Sequence, residues 1–571
     1  MGNFGENKHM LSIKRPADFL AILLPIAWLM VFHAHILLNP GRQMLQSDGG
    51  DGIKNYFTLA WFVEHNESWT QFEGMHYPYG DLVVFTDNHP ALGWTLKAIG
   101  VQGDNVVAVL NFIMLFSLVI ACFFLYDSLK LLGVAPYLAG IGALLIAVSM
   151  PQWGRMAGHY SLSHLFMLPI SCWLLLKYIK GCRGKWWILA SVFTATLWFF
   201  THPYIGLMAS ALAMGVQLFI WIKDRGKKIG IRLLHFVLQA ILPIALFQGF
   251  VLMTDTHFDR PTDPAGFWEF MGHLESIFLP THGPLAKHFY ELFTLNAIEW
   301  ETWAYLGVGS LLLIPLVVVW HFKEKKRWTD FFKSDPSQIL LWASCLLLLF
   351  SLGWIFIWFP HLAEWLSPVK NFRVLARFAW PFVLIFNLVI FGKALSNWKA
   401  ASGYYRIAVL LIIVAGFVEA ADWHSGLLND SQLTKNYFSE SERDAYQNMI
   451  DCAEREGCAA IFSLPLFHVG SETFDTHTSD GLVVESMKVS YFTGLPLVSS
   501  MMSRTSVSET INILQLNAPY NYSHPIENLV DTSKPLLVVA SLETMDERER
   551  ALLSNAEILG VVNNVTFALL D

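Results

Sequence analysis

Charge is what this sequence has little of. Only 15% of its 571 residues are Asp, Glu, Lys or Arg, against about 25% in an ordinary soluble domain. A mean hydropathy of +0.43 accompanies that scarcity and excludes a chain that is soluble throughout. The formal net charge of −8 shows no basic excess, so nothing points to nucleic acid as a partner. Six cysteines in so long a chain cannot frame a disulfide scaffold. Cys452 and Cys458 flank a short polar segment, where a disulfide and two free thiols fit equally. There is no Walker A sequence, no G-x-G-x-x-G after a strand, no H-E-x-x-H and no cysteine-rich metal motif. The usual signatures of nucleotide, dinucleotide and zinc chemistry are therefore missing.

Apolar and aromatic residues fill the space. Hydrophobic residues make up 54%, with 22 Trp and 43 Phe, as in a polytopic membrane protein with interfacial belts. The first apolar run, Asp18 to Leu38, is long enough to cross a bilayer as a helix. Lys14 and Arg15 before it imitate a signal peptide, but the run is too long and no A-x-A site follows. Further runs lie near 105–126, 134–150, 162–180, 186–201, 204–222, 232–253, 304–322, 338–358, 377–396 and 406–421. The reading is a mainly α, polytopic membrane protein of about eleven transmembrane helices. With the N-terminus cytoplasmic, the inside segments hold 21 of the 30 Lys and Arg before residue 422, as the positive-inside rule requires. An odd helix count then puts the C-terminus outside.

This orientation divides the chain into a transmembrane unit, 1–421, and a soluble extracytoplasmic unit, 422–571. The large outside loops are 39–104 and 254–303. The tail reads as a small α/β domain. Ala459–Phe462 and Pro535–Ala540 have strand character, and Ile558–Val562 with Val565–Leu570 forms a hairpin across Asn563-Asn564.

Chemistry is sought on the outer face. Ser47-Asp48-Gly49-Gly50-Asp51-Gly52 follows the first run, and its glycines allow sharp turns and close approach. A carboxylate there can take the proton of a hydroxyl acceptor, or hold a divalent cation with a second carboxylate. Asp51 opens an amphipathic segment, Ile53 to Glu64, that reads as a helix lying on the membrane surface. The same loop carries Tyr77 in Tyr77-Pro78-Tyr79-Gly80, and Asp87 and His89 in Asp87-Asn88-His89-Pro90. Some of these acids would serve equally as turn or cap residues. Arg155 violates the positive-inside trend in a short outside turn with His159. A lipid phosphate would use an Arg fork there, and interfacial snorkelling is the alternative. Arg373 and Arg377 sit four apart at an outside helix entry, the spacing of one helix face and a seat for an anion. Glu301, in Glu299-Trp300-Glu301-Thr302-Trp303, is the most site-like acid of the 254–303 loop.

Taken together, these strings resemble the GT-C superfamily of polytopic glycosyltransferases, in its bacterial uncharacterised members. They are Gly50-Asp51-Gly52 before an aromatic helix, Tyr77-Pro78-Tyr79-Gly80, Asp87 shortly before Pro90, Arg155 to His159, Tyr305-Leu306-Gly307 and Phe372-Arg373 to Arg377-Phe378. The resemblance implies an inverting transfer of a hexosyl or pentosyl group from a polyprenyl-phosphate donor to an extracytoplasmic glycan, lipid or protein acceptor. It implies Asp51 as catalytic base, with Asp48 as rival. Tyr77, Asp87, His89, Arg155, His159, Glu301, Arg373 and Arg377 are the matching substrate-binding candidates. Asp48 and Asp51 are three apart, so a D-x-D is absent. A divalent cation, Mg or Mn, held by Asp48 and Asp51 stays open beside a reaction with no cofactor. The implied location is a bacterial inner membrane with the tail in the periplasm. The residues support the same reading independently, because the short cytoplasmic loops leave no room for a nucleotide-sugar domain. A transporter or flippase of lipid-linked glycans, without chemistry, is the competing function.

Overall fold

A computed structural model of the chain describes residues 16–570, apart from 88, 265, 283, 294–297, 324–335, 428–432, 471–473 and 518–524. Asn88 and much of the basic evidence for orientation (Lys8, Lys14, Arg15, Lys325, Lys326, Arg327 and Lys333) lie outside the described residues.

Helix dominates. Among the described residues, Gly103–Leu131, Tyr160–Ile179, Pro203–Lys223, Ile229–Thr254, Leu375–Ser396 and Gly403–Leu427 are long and apolar enough to cross a membrane. Shorter apolar helices cover Leu20–Phe32, Pro136–Val148, Val308–Lys323 and Ser337–Ser351. These helices are apolar all round, as a span must be when both protein and lipid face it. Their burial differs: 89% of the most apolar window of Leu375–Ser396 is inside the protein, against 17% for Ile229–Thr254. The first is therefore central and the second peripheral.

The first large loop, 39–104, is organised by the helix Gly50–Glu64. Gly50 enters it with φ +61, a conformation that glycine adopts without strain. Gly52 is fixed by packing: a Cβ there would stand 1.7 Å from the Gln46 carbonyl oxygen. Every residue from Gly52 to Val63 is buried. The sequence reading of a helix resting on the membrane surface is thus corrected. Its second face is covered by the helix Asp480–Thr493 of the C-terminal segment, a partner more than 400 positions away.

The C-terminal segment carries a four-stranded sheet in the order Ala460–Leu464, Leu536–Ala540, Val565–Leu570, Glu557–Val562. The first pair is parallel and the others antiparallel. The hairpin turns at Asn563 and Asn564, both with positive φ, as a two-residue turn between right-twisted strands favours. The segment is tied to the first loop at several levels. Gln43–Leu45 pairs antiparallel with Leu433–Lys435. Leu497 donates to the Gly74 carbonyl at 3.0 Å, and Tyr77 donates to the Leu497 carbonyl at 3.0 Å. Tyr446, Phe492 and Phe567 belong to the same buried apolar cluster as Phe57 and Phe62. Cys452 and Cys458 are both free thiols.

Candidate active site

One cavity of about 800 Å³ lies where the first loop, the 254–303 loop, the 368–377 segment and the C-terminal segment meet. Its two flanks differ in chemistry. Phe199, Leu207, Ile244, Phe247 and Val251 form an apolar flank from three helices. In one of these, Leu242–Thr254, only Pro243 is buried. The polar flank carries Asp51, Lys54, Asp87, His159, Glu301, Arg373 and Arg377.

Asp51 sits in the first turn of its helix, where the helix dipole favours a carboxylate. Its Oδ1 accepts from Lys54 Nζ at 2.5 Å, and its Oδ2 lies 3.7 Å from His159 Nδ1. Burial pushes this carboxyl up, but the Lys54 ammonium and then His159 outweigh it, so its pKa lies below the ordinary value. With its side chain 40% exposed into the cavity, Asp51 is still reachable. Lys54 Nζ also reaches Asp87 Oδ2 at 2.9 Å. Burial raises the Asp87 carboxyl too, and Lys54 followed by His202 holds it well below the usual carboxylate range.

Glu301 is the hub of the second half of the site. Its Oε2 accepts from Arg155 Nη1 at 2.9 Å and from Arg377 Nη2 at 2.6 Å. Its Oε1 accepts from His159 Nε2 at 3.2 Å. His159 thereby links the Asp51 and Glu301 halves, stacked on Trp300 with ring centroids 5.2 Å apart. Arg155 also lies over Trp300, at 4.0 Å, and donates to the Trp300 carbonyl at 2.6 Å. The Arg377 guanidinium lies 5.1 Å from the Tyr204 ring, and its buried Nε has no hydrogen-bond partner among the described residues.

Several sequence expectations change here. Arg155 is fully buried and does not line the cavity, so it can hold Glu301 but cannot reach a lipid phosphate from this position. Arg373 and Arg377 both line the cavity, yet not as neighbours on an α-helix. Arg377 lies in a 3-10 turn, Leu375–Ala379, and the α-helix starts only at Trp380. Pro381 fits that start, because proline is favoured in the first helical turn. Asp48 is exposed and does not line the cavity. His89 is fully buried beside His164, with ring centroids 5.4 Å apart, at the position just before the helix Pro90–Ala98. Tyr77 packs against the core of the C-terminal sheet. Neither lines the cavity. Asp48 does not line the cavity with Asp51, whose Oδ1 is engaged by Lys54. Among the described residues no group of three or more His, Cys, Asp or Glu is arranged to hold a metal ion.

The sequence reading missed Lys54, His202, Tyr204 and Arg260. The one local hint of Lys54 was its place three residues after the favoured acid, which by itself does not set a helical lysine apart from a solvated charge. Arg260 knots the cavity rim, donating to Asp81 at 2.6 Å, to Asp255 at 2.8 Å and to the Arg504 carbonyl at 2.7 Å.

Beside that knot, His257 Nδ1 donates to Glu509 Oε2 at 2.8 Å, tying the loop to the helix Val507–Leu514. Burial pushes the His257 pKa down, but the Glu509 hydrogen bond and Asp81 outweigh it, with Arg260 opposing, so the net shift is upward. Asp255 and His76 complete its charged surroundings. A folded pKa above the unfolded value of about 6.5 contributes stability that is complete below that value and is lost as pH rises through the folded pKa. Between pH 6 and pH 8 the wild type should therefore lose more thermal stability than His257→Gln. Parallel melting curves across that range would contradict the assignment.

A family model described as "Domain of unknown function (DUF6311)" matches residues 21–424. No curated protein matches the chain. Solved structures do. ArnT from Cupriavidus metallidurans, bound to undecaprenyl phosphate, is 10% identical with a TM-score of 0.45, covering 96% of this chain and 97% of that one. The arabinofuranosyltransferase AftD from Mycobacteria is 12% identical with a TM-score of 0.51, covering 98% of this chain, which spans 40% of AftD. The Archaeoglobus fulgidus oligosaccharyltransferase in the apo form is 12% identical with a TM-score of 0.46, covering 85% of this chain and 64% of that one. At 12% identity the likeness to AftD is one of fold alone.

Proposed function

The chain belongs to the DUF6311 family, and we propose that it is a membrane glycosyltransferase that takes a sugar from a polyprenyl-phosphate donor. The observation that carries this reading is the cavity itself. An apolar flank suited to a lipid chain adjoins Arg373 and Arg377, and both share the space with an accessible carboxylate, Asp51. A donor whose phosphate sits on the arginines and whose chain lies along Phe199, Leu207 and Phe247 matches both flanks. The donor headgroup must displace or share Glu301, which holds Arg377 in its absence.

In the proposed reaction Asp51 accepts the proton of an acceptor hydroxyl as its oxygen attacks the anomeric carbon. The carbon–oxygen bond to the phosphate breaks with inversion, and the phosphate leaves with the electron pair. Arg373 and Arg377 stabilise the charge that develops there, where guanidinium geometry suits phosphate. Arg155 acts through Glu301, and His159 orients Asp51. The acceptor is an extracytoplasmic glycan, lipid or protein.

The topology belongs to the same proposal: about eleven spanning helices, a cytoplasmic N-terminus, and an extracytoplasmic segment 422–571 after the membrane unit 1–421. The location is a bacterial inner membrane. Val469, Gly470, Asp475 and Met501 to Arg504 supply part of the cavity wall, which supports a role for the tail in the reaction.

The test is turnover by the purified full-length protein in lipid nanodiscs with labelled polyprenyl-phosphate sugars and candidate acceptors. Release of polyprenyl phosphate with formation of a glycosylated product is expected. Movement of an intact lipid-linked sugar between leaflets of proteoliposomes, without cleavage of any donor, would replace this reading with the flippase.

A further inference from the structure

Two carboxylates converge on one point of the cavity wall, and a lysine fills that point. Lys54 Nζ lies 2.5 Å from Asp51 Oδ1 and 2.9 Å from Asp87 Oδ2. The residue is 6% exposed, so its charge has little contact with water. Facing carboxylates repel, and one of them takes up a proton unless a cation stands between them. A divalent metal ion is one such cation and an ammonium is another. Here the ammonium is built into the chain. Asp51 and Lys54 share the start of one helix, i and i+3, in a position set by the close approach of Gly52 to Gln46. Asp87 is brought in by a turn with φ +59, just ahead of His89 and Pro90.

A metal ion between these carboxylates would need oxygen ligands at about 2.0–2.6 Å in the volume that Nζ occupies. The lysine would have to leave, and no third carboxylate or imidazole is arranged to complete a shell among the described residues. His159 acts electrostatically on both carboxylates and His202 on Asp87, but among the described residues it is Lys54 that makes an ion pair with each of the two.

We propose that Lys54 is the resident cation of this site: a positioning residue that bridges Asp51 to Asp87, keeps Asp51 ionised and aimed into the cavity, and makes sugar transfer independent of added divalent metal. The last clause rests on the glycosyltransferase reading above, and the bridge between carboxylates does not.

The test has two arms. The first needs no substrate: Mn2+ binding to the purified protein, followed by its electron paramagnetic resonance signal. Wild type should hold no Mn2+ in the cavity. Lys54→Ala should take up Mn2+ between the two carboxylates, with water completing the shell, and the further change Asp87→Asn should remove it. The second arm is turnover of a labelled polyprenyl-phosphate sugar. Wild-type turnover should survive EDTA. Lys54→Met should lower kcat by about 100-fold, the low end for a misaligned general base, with the donor KM little changed. The acid limb of its kcat–pH profile should move up by about one unit or more, as Asp51 loses the adjacent cation. Lys54→Arg, which keeps a cation, should recover part of the rate. Loss of wild-type turnover in EDTA, or Mn2+ binding by wild type that Asp51→Asn abolishes, would overturn the proposal. A wild type that turns over no donor, while Lys54→Ala gains its Mn2+ site, would strike the glycosyltransferase reading and support Lys54 as the bridging cation.

Discussion

Asp51→Asn lowers the rate of sugar transfer by about 100- to 10,000-fold, the span expected for loss of a positioned general base. The substitution preserves shape, and the amide oxygen still accepts from Lys54, so the helix start at Gly50 and Gly52 stays intact. What is lost is the lone pair that takes the acceptor's proton. The donor KM stays near its wild-type value, because Arg373 and Arg377 stand on a separate segment of the cavity wall. The pH profile carries a second signature. The Asp51 pKa is pushed below the ordinary carboxylate value by Lys54 and His159 against the effect of burial. The base is therefore ionised throughout the neutral range, and the wild-type acid limb falls below the usual carboxylate region of about 4. Asp48→Asn serves as the control, since Asp48 is exposed and does not line the cavity. Turnover within a factor of two of wild type for Asp51→Asn would remove the base assignment. Collapse of Asp48→Asn would restore its rival.

The division between what the sequence disclosed and what it did not follows the range of the interactions involved. Glycines flanking Asp51 are a local signal, and their cause is local as well: a helix start that passes against the Gln46 carbonyl. Glu301 stood out through its aromatic neighbours, and one of them, Trp300, stacks with both Arg155 and His159. The membrane-spanning character of the long helices follows from composition alone. Partnership across the chain does not. Arg155 was legible as a misplaced charge, but its counter-ion lies 146 positions away, so a structural ion pair looked like a lipid-binding residue. The amphipathic period of Ile53 to Glu64 was compatible with a membrane surface until Asp480–Thr493 covered the second face. Tyr77 and His89 stand in distinctive strings for reasons common to loop residues: Tyr77 docks on the C-terminal sheet, and His89 occupies the position just before a helix. Lys54 was hidden because a single lysine in a helix is ordinarily a solvated charge, and only the approach of Asp87 makes it a bridge.

Glu301→Gln is expected to destabilise the protein as well as to slow it, by about 3 kcal/mol, the lower end of the 3–5 kcal/mol for removing one partner of a buried ion pair. Glu301 neutralises two guanidiniums at once, and both are buried: Arg155 at 0% and Arg377 at 5% exposure. The glutamine keeps the volume and one acceptor oxygen but leaves two cations facing each other without an anion. The Glu301 pKa shows the same coupling. Burial would raise it, and Arg377, His159 and Arg155 together hold it well below the usual range. A depressed folded pKa means that this stabilisation is complete above the unfolded value of about 4.3 and is lost only as pH falls towards the folded one. The deficit of Glu301→Gln should therefore be the same at pH 6 and pH 8, unlike the effect of His257→Gln. Arg155→Met in the Glu301→Gln background removes one of the stranded charges and should recover part of the loss, with a coupling of about 0.5–3 kcal/mol in the double-mutant cycle. Additive losses in that cycle would mean that Arg155 does not act through Glu301. If the donor phosphate takes over part of Glu301's role at Arg377, then saturating polyprenyl phosphate should stabilise Glu301→Gln more than it stabilises wild type. That comparison reads the competition between carboxylate and phosphate directly, because both call on the same guanidinium.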